Sequence, residues 1–206
     1  VQDTSDPIPE ISVDGVVVTD ELVLLTNQQV EFSARGTTDN LPIDELEFSW
    51  DWGDGEGVSG IGLAESSHSW VDGSADGIVY TLTLTVSDGI HEVEHSVFIR
   101  VLNRLPKLVF DDSLETFTLT PLEMPEVFTD SDGMIVEYNW QFEGGVNLDG
   151  GGMSLTSDFS STESSLSNPI VGWRDPGPKT VTLEVTDDDG NSSFTTIVVN
   201  VLNQRP

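Results

Sequence analysis

Polar and apolar residues alternate along several segments of this chain. Leu46, Phe48, Trp50 and Trp52 stand at every second position, with Glu45, Glu47, Ser49 and Asp51 around them. A side-chain period of two belongs to a strand with one buried face, so the spacing predicts a strand here. The pattern recurs as Val136, Tyr138, Trp140 and Phe142, set between Glu137, Asn139 and Gln141. It recurs again in VYTLTLTVSDG, where Tyr80, Leu82, Leu84 and Val86 share a face opposite Thr81, Thr83 and Thr85. KTVTLEVTDDDG repeats that arrangement through Val181, Leu183 and Val185. β-Branched and aromatic residues fill these runs, turn clusters such as SDG and DDDG close them, and no window has a convincing 3.6-residue period. The expectation is an all-β chain.

The segments are organised by a repeat. Val101–Pro106 reads VLNRLP and Val201–Pro206 reads VLNQRP, at numbers that differ by 100. Each follows an alternating apolar run, SVFIRVLN and TIVVNVLN, so one unit is present twice. Two β-sandwiches are expected, over residues 1-102 and 103-206, joined near Leu102 to Pro106, where Pro106 removes a backbone donor. The second repeat is about ten residues longer after its central Trp. The extra length falls in FEGGVNLDGGGMSLTSDFSSTESSLSN, rich in Gly and Ser, which reads as a long mobile loop and a tolerated insertion.

Composition then narrows the function. The 206 residues carry 37 acids against seven Lys and Arg, a formal charge of −30. That balance argues against nucleic acid as a partner and for a surface that collects cations or stays soluble in salt. Five Trp and nine Phe supply material for cores, and the absence of Cys leaves no disulfide to stiffen them. No apolar run reaches the length of a membrane span, so direct membrane insertion is not expected. VQDTSDPIPE has no initiator Met, basic region or apolar core, which reads as the start of a piece excised from a longer chain.

The run WDWGDG, Trp50 to Gly55, preceded by TTDN and followed by YTLTLTVSDG, resembles the PKD (polycystic kidney disease) domain in tandem. That family's hallmark is a W-D-F-G-D-G strand end followed later by a Y-T-V-T-L-T-V-x-D strand. The second repeat departs from it, because WQFEGG, Trp140 to Gly145, lacks both Asp residues. The resemblance implies an immunoglobulin-like β-sandwich, non-catalytic and extracellular or at the cell surface, used as a spacer or binding module. It also implies calcium, held by an Asn at the linker and by acids in the loop before the W-D strand. The matching positions are Asn103, Asp130 and Asp132 in repeat 2, and Asp39 in repeat 1 with Asp6 in place of the Asn.

The residues have their own reading beside this. Trp50 and Trp140 alternate into a core, while Gly53 and Gly55 supply positive φ where Asp51 and Asp54 bond backbone donors; these two acids read as turn-makers rather than ligands. In such a sandwich the loop before the central strand and the loop before the last strand meet at one pole. Asp130 and Asp132 of DSDG then meet Asp187 and Asp189 of DDDG, with Asn103 at the entry. Hard cations such as calcium take six to eight oxygens from a mixture of this kind. The equivalent pole of repeat 1 offers a thinner set, Asp6, Asp39, Asp44 and Asp88. Taken singly, each Asp also reads as a solvated turn residue. An ion at Asn103 would stiffen the angle between domains.

Three functions follow. One is a calcium-stiffened structural and interaction segment, whose partners are neighbouring domains of the same parent chain and a cell-surface or extracellular polymer; the closing VLNQRP reads as a linker to a further domain. Another is an accessory module that binds polysaccharide or protein substrate for a secreted hydrolase, with Phe98 and Trp173 as candidate exposed aromatics that read equally well as core. The last is salt adaptation alone. Catalysis has little support: there is no thiol, no nucleophile elbow, and paired carboxylates arise by chance in so acidic a chain. HEVEH, His91 to His95, spells the zinc-protease pattern, but that pattern needs a helix. On a strand the two histidines stand roughly 13 Å apart, too far for one zinc.

Overall fold

The structure, a computed structural model, describes residues 5–110, 113–147, 158–161 and 168–204. It divides into two compact units, Val1–Asn103 and Arg104–Pro206. Asn103, expected to open the second repeat, therefore closes the first. Among the described residues the only helical turn is a 3₁₀ turn, Ile43–Glu45, and no helix is long and apolar enough to cross a membrane.

In the first unit the strands are β1 (Ser12–Val13), β2 (Val16–Val17), β3 (Glu21–Leu25), β4 (Val30–Ser33), β5 (Glu47–Asp51), β6 (Gly57–Ile61), β7 (Glu65–His68), β8 (Ile78–Ser87) and β9 (Glu92–Leu102). They form two sheets, ordered β2-β1-β4-β7 and β3-β9-β8-β5-β6. All pairs are antiparallel except β3 with β9, which run parallel from Glu21↔Phe98 to Leu25↔Leu102. The alternation reads as expected: Leu46, Phe48, Trp50 and Trp52 are all buried and meet Phe32, Trp70, Leu82, Leu84 and Val86 between the sheets. Each buried aromatic removes 150–250 Å² from water, roughly 4–6 kcal/mol before the entropy of ordering it. Tyr80 packs at the margin of this core, and its hydroxyl donates to Asp72 O at 3.1 Å.

The second unit contains β10 (Lys107–Leu108), β11 (Leu114–Phe117), β12 (Leu122–Glu123), β13 (Phe128–Thr129), β14 (Ile135–Phe142), β15 (Gly145–Asn147), β16 (Asp158–Ser161), β17 (Ile170–Trp173), β18 (Gly177–Asp187) and β19 (Ser192–Leu202). Its main sheet is β11-β19-β18-β14-β16, with a smaller sheet β12-β17-β15 and the pair β10-β13. Again one pair is parallel, β11 with β19. Both units are immunoglobulin-like β-sandwiches with separate cores, the second built on Trp140, Phe142, Trp173, Val181, Leu183 and Val185.

Three expectations change. Val136 was placed on the core face, but the register of β14 against β18 shifts between Ile135 and Glu137; Ile135 is buried and Val136 is 36% exposed. A bulge inserts one extra residue, and every side chain before it changes face. Trp173 is wholly buried, its indole N–H donating to Glu143 O at 3.0 Å, so it is core and not an exposed aromatic. The Gly/Ser-rich stretch of repeat 2 is not all loop: β15 pairs with β17 and β16 with β14. Residues 148–157 and 162–167 of that stretch lie outside the described residues.

Candidate functional site

The acidic loops of the second unit do approach one another. Asp130 Oδ1 accepts the Asp132 N–H at 3.4 Å, and Asp132 Oδ2 accepts the Arg104 N–H at 3.0 Å. From the other loop, Asp188 Oδ1 accepts the Met134 N–H at 2.8 Å and the Asp188 N–H donates to Met134 O at 3.0 Å. Asp187 is buried and accepts the Asn191 N–H at 2.7 Å, shaping the turn that contains half-buried Asp189. Gly133 sits between the loops: a Cβ there would run into Asp188 Oδ1 and stand 3.1 Å from Asp130 Oδ2. A side chain at this position would displace the Asp188 carboxylate. Asp188, which the sequence reading did not single out from DDDG, is the acid that reaches across.

Crowding leaves a signature on Asp130. Burial, then hydrogen bonding and repulsion from Asp132 and the charge of Asp187, push its carboxyl above the ordinary range. Its Oδ2 is closed to solvent and has no hydrogen-bond partner among the described residues. Such an atom costs free energy unless something outside the protein satisfies it. Among the described residues, no group of three or more His, Cys, Asp or Glu side chains is gathered tightly enough to hold a metal ion as it stands.

In the first unit the expected ligands differ in what they meet. Asp88 accepts the N–H groups of Ile90 and His91 at 2.7 and 2.6 Å, and its Oδ2 meets His91 Nδ1 at 2.9 Å. Those bonds, the His91 N–H first, hold its carboxyl down at about 2. Asp6 lies 3.7 Å from His91 Nε2 and is 71% exposed. Asp39 Oδ1 closes a turn by accepting the Leu41 N–H at 2.7 Å, while its Oδ2 is closed to solvent without a partner among the described residues. Asp44 is exposed on the 3₁₀ turn. Asn103 is buried, and its N–H donates to Ser74 O at 3.0 Å. His91 thus stands between Asp6 and Asp88.

The Trp–Asp turn behaves as its residues dictate. Asp51 Oδ1 accepts the Gly53 N–H at 2.9 Å and Asp54 Oδ1 the Glu56 N–H at 3.0 Å, with Gly53 and Gly55 at φ 81° and 97°. Sequence reasoning missed the second bond of Asp54: its Oδ2 meets His68 Nε2 at 2.7 Å. The His68 ring is stacked on Trp52, centroids 4.8 Å apart, and stands edge-on to Trp70 at 4.7 Å. Burial works against the charge of Asp54, but the bond from His68 and then that from Glu56 bring its carboxyl below the ordinary range. The signal was present in LAESSHSW, where Ala64, Ser66, His68 and Trp70 alternate with Glu65, Ser67 and Ser69. In HEVEH, by contrast, His91 precedes β9 and His95 lies within it, with no shared ligand geometry among the described residues.

No family model and no curated protein sequence matches this chain. Solved structures do. The two immunoglobulin domains of DIP-gamma match 97% of this chain and 99% of theirs at 10% identity and a TM-score of 0.39. The insect immune protein hemolin matches 95% of this chain and 47% of its own at 13% identity and a TM-score of 0.45. A fibronectin(III)-like module of Clostridium thermocellum CbhA matches 48% of this chain and 99% of its own at 17% identity and a TM-score of 0.30. With likeness at that level, a reading of function rests on this chain's own residues.

Proposed function

We propose that this chain is a non-catalytic structural and interaction segment of a larger extracellular or surface protein, two tandem PKD-type domains with calcium stiffening the second. The observation that carries the reading is the approach of Asp188 and Asp130 at Gly133, with Asp132 and Asp187 near enough to act on Asp130 and one carboxylate oxygen of Asp130 closed off and without a partner among the described residues. Oxygen-only donors with repelling charges fit a hard cation, which would neutralise them and take the unspent oxygen. When bound, the ion would supply charge and cross-linking between two loops, and no reaction.

Millimolar calcium is expected to stabilise the chelated protein by roughly 1–3 kcal/mol through mass action. Calorimetry at constant ionic strength reads this as a rise in Tm that sodium and magnesium do not reproduce. Asp130→Asn should behave oppositely in the two states: Tm slightly higher than wild type in chelator, because a repelling charge is gone, and no specific gain with calcium. A flat calcium titration sinks the proposal.

A second reading is favoured by one observation. Phe194 is 78% exposed on the outer face of the main sheet, opposite Glu184, which lies opposite Asn139. An aromatic ring beside hydrogen-bonding side chains on a flat sheet suits a sugar polymer or an extended protein substrate. Phe98, 48% exposed, offers the counterpart in the first unit. On this reading Phe194→Ala loses retention on an insoluble polysaccharide while Tm stays unchanged; equal retention of both proteins removes it.

A further inference from the structure

β6 (Gly57–Ile61) ends the larger sheet of the first unit and pairs with β5 alone, from Asp51↔Gly57 to Glu47↔Ile61. Bonded and non-bonded pairs alternate along an antiparallel ladder. The Trp52 N–H donates to Glu56 O at 3.1 Å and the Gly62 N–H to Leu46 O at 2.8 Å, which fixes the alternation from both ends. Val58 and Gly60 therefore turn their backbone groups to β5, whereas Gly57, Ser59 and Ile61 turn theirs outward. These three residues are exposed, and their outward N–H and C=O groups have no partner among the described residues. Donors and acceptors repeated at every second residue form a template onto which another strand can pair.

Edges of this kind are ordinarily blocked by charge, proline, a bulge or shortness. The other edges of the first unit follow that rule. β2 has two residues, and β7 begins with Glu65, paired with Arg35 at 2.9 Å. β3 begins with Glu21, paired with Arg100 at 2.9 Å, and its Leu25 N–H is taken by Gln28 Oε1 at 3.1 Å. β6 reads GVSGI, without charge, proline or register shift, in a chain where 37 of 206 residues are acids. The acids lie one strand further in. Glu47, Ser49 and Asp51 alternate with buried Phe48 and Trp50, so they share the outer face of the sheet with Gly57, Ser59 and Ile61. Asp51 stands opposite Gly57, which has no side chain to bar the way, while Glu47 stands behind Ile61, 74% exposed. A recess of about 370 Å³ at this corner is bounded by Asp51, Glu56 and Gly57, with no Lys or Arg in its wall. An added strand would lie about 10 Å from β5, a gap that the long side chain of Lys or Arg can cross. Charge and shape together call for a basic residue opposite Gly57 and an apolar one opposite Ile61.

We propose that the outer edge of β6 takes an extended segment of a partner protein as an added strand, with a Lys or Arg of that segment laid over Gly57 towards Asp51 and an apolar residue beside Ile61. The strand is antiparallel, the pairing that is more stable per residue. This contact rests on the interaction-module reading and gives that reading a partner chemistry, but it does not depend on calcium.

The test adds acetyl-Thr-Val-Thr-Ser-Thr-Arg-Thr-amide to the full chain in chelator at constant ionic strength; its Val, Ser and Arg fall opposite Ile61, Ser59 and Gly57. Amide hydrogen exchange followed by NMR should slow saturably at Gly57, Ser59 and Ile61. It should stay unchanged at Val58 and Gly60, whose N–H groups already face β5. The peptide N-methylated at its Ser should not bind. Norleucine in place of its Arg should weaken binding about three- to fivefold, and Asp51→Asn, which keeps an oxygen for the Gly53 N–H, should remove that difference. Equal affinity of the Arg and norleucine peptides for the unaltered chain overturns the basic partner. Slowing at the same three amides without peptide, rising with protein concentration alongside a dimer in sedimentation, assigns the edge to a second copy of this chain and overturns the partner segment. Binding of the N-methylated peptide, or unchanged exchange at the three amides, shows no more than general attraction to an acidic protein and overturns the site. Failure here with a calcium-dependent Tm intact would leave the module reading standing, whereas loss of both would remove it.

Discussion

Single carboxylates in this protein have opposite fates, set by what lies within hydrogen-bond reach. Asp88 receives two backbone N–H groups and an imidazole, and its carboxyl is held at about 2 against an ordinary 3.8. A depressed folded value means that its contribution is present above pH 4 and is lost as pH falls from about 4 towards 2. Asp88→Asn should therefore lower Tm at pH 7 and converge with wild type near pH 2, a comparison read by thermal melts across pH. Equal lowering at both ends would mean that the turn, not the charge, is what Asp88 contributes. Asp130 is the reverse, raised by burial and by its acidic neighbours, and destabilising while ionised. Spacing on the sequence shows that both acids sit in turns. It does not show which donors the folded chain will bring to each, so Asp188 and the bond from His68 to Asp54 were not foreseen.

At the level of strands, alternation carried most of the information. β5, β8, β14 and β18 follow their apolar periods, and the turns after them follow their Gly and Asp residues. What alternation cannot register is a residue that belongs to neither face, as in the bulge that turns Val136 outward. Nor does composition register strands whose pairing is supplied from far away, as for β15 and β16 in a Gly/Ser-rich stretch. The WDWGDG turn allows a sharper test of why its glycines are there. Gly53 and Gly55 both have positive φ, but a Cβ at Gly53 would stand 2.5 Å from Thr81 O, whereas Gly55 has nothing within 4 Å. Gly55→Ala should cost about 1 kcal/mol, for backbone strain alone. Gly53→Ala should cost about 2–4 kcal/mol, because β8 must also move. Urea unfolding of the two variants distinguishes them, and similar costs would show that the close approach to β8 is dispensable.

For the whole molecule, the resemblance of its two halves extends below sequence to topology. Each unit pairs an early strand in parallel with its last one, β3 with β9 and β11 with β19. In parallel neighbours the start of one strand and the end of the other lie at opposite ends of the ladder. A pull on the two ends of a unit thus loads the rungs between those strands together, in shear, rather than one after another. Hydrogen bonds loaded together resist far more than bonds opened singly, and forced unfolding is governed by that barrier rather than by equilibrium stability. Extension of the chain by single-molecule force spectroscopy should show two separate rupture events at forces typical of shear, and Val23→Pro in β3 should reduce one of them. The parallel pairs would then make each half a tether that bears tension, whatever the chain is tied to.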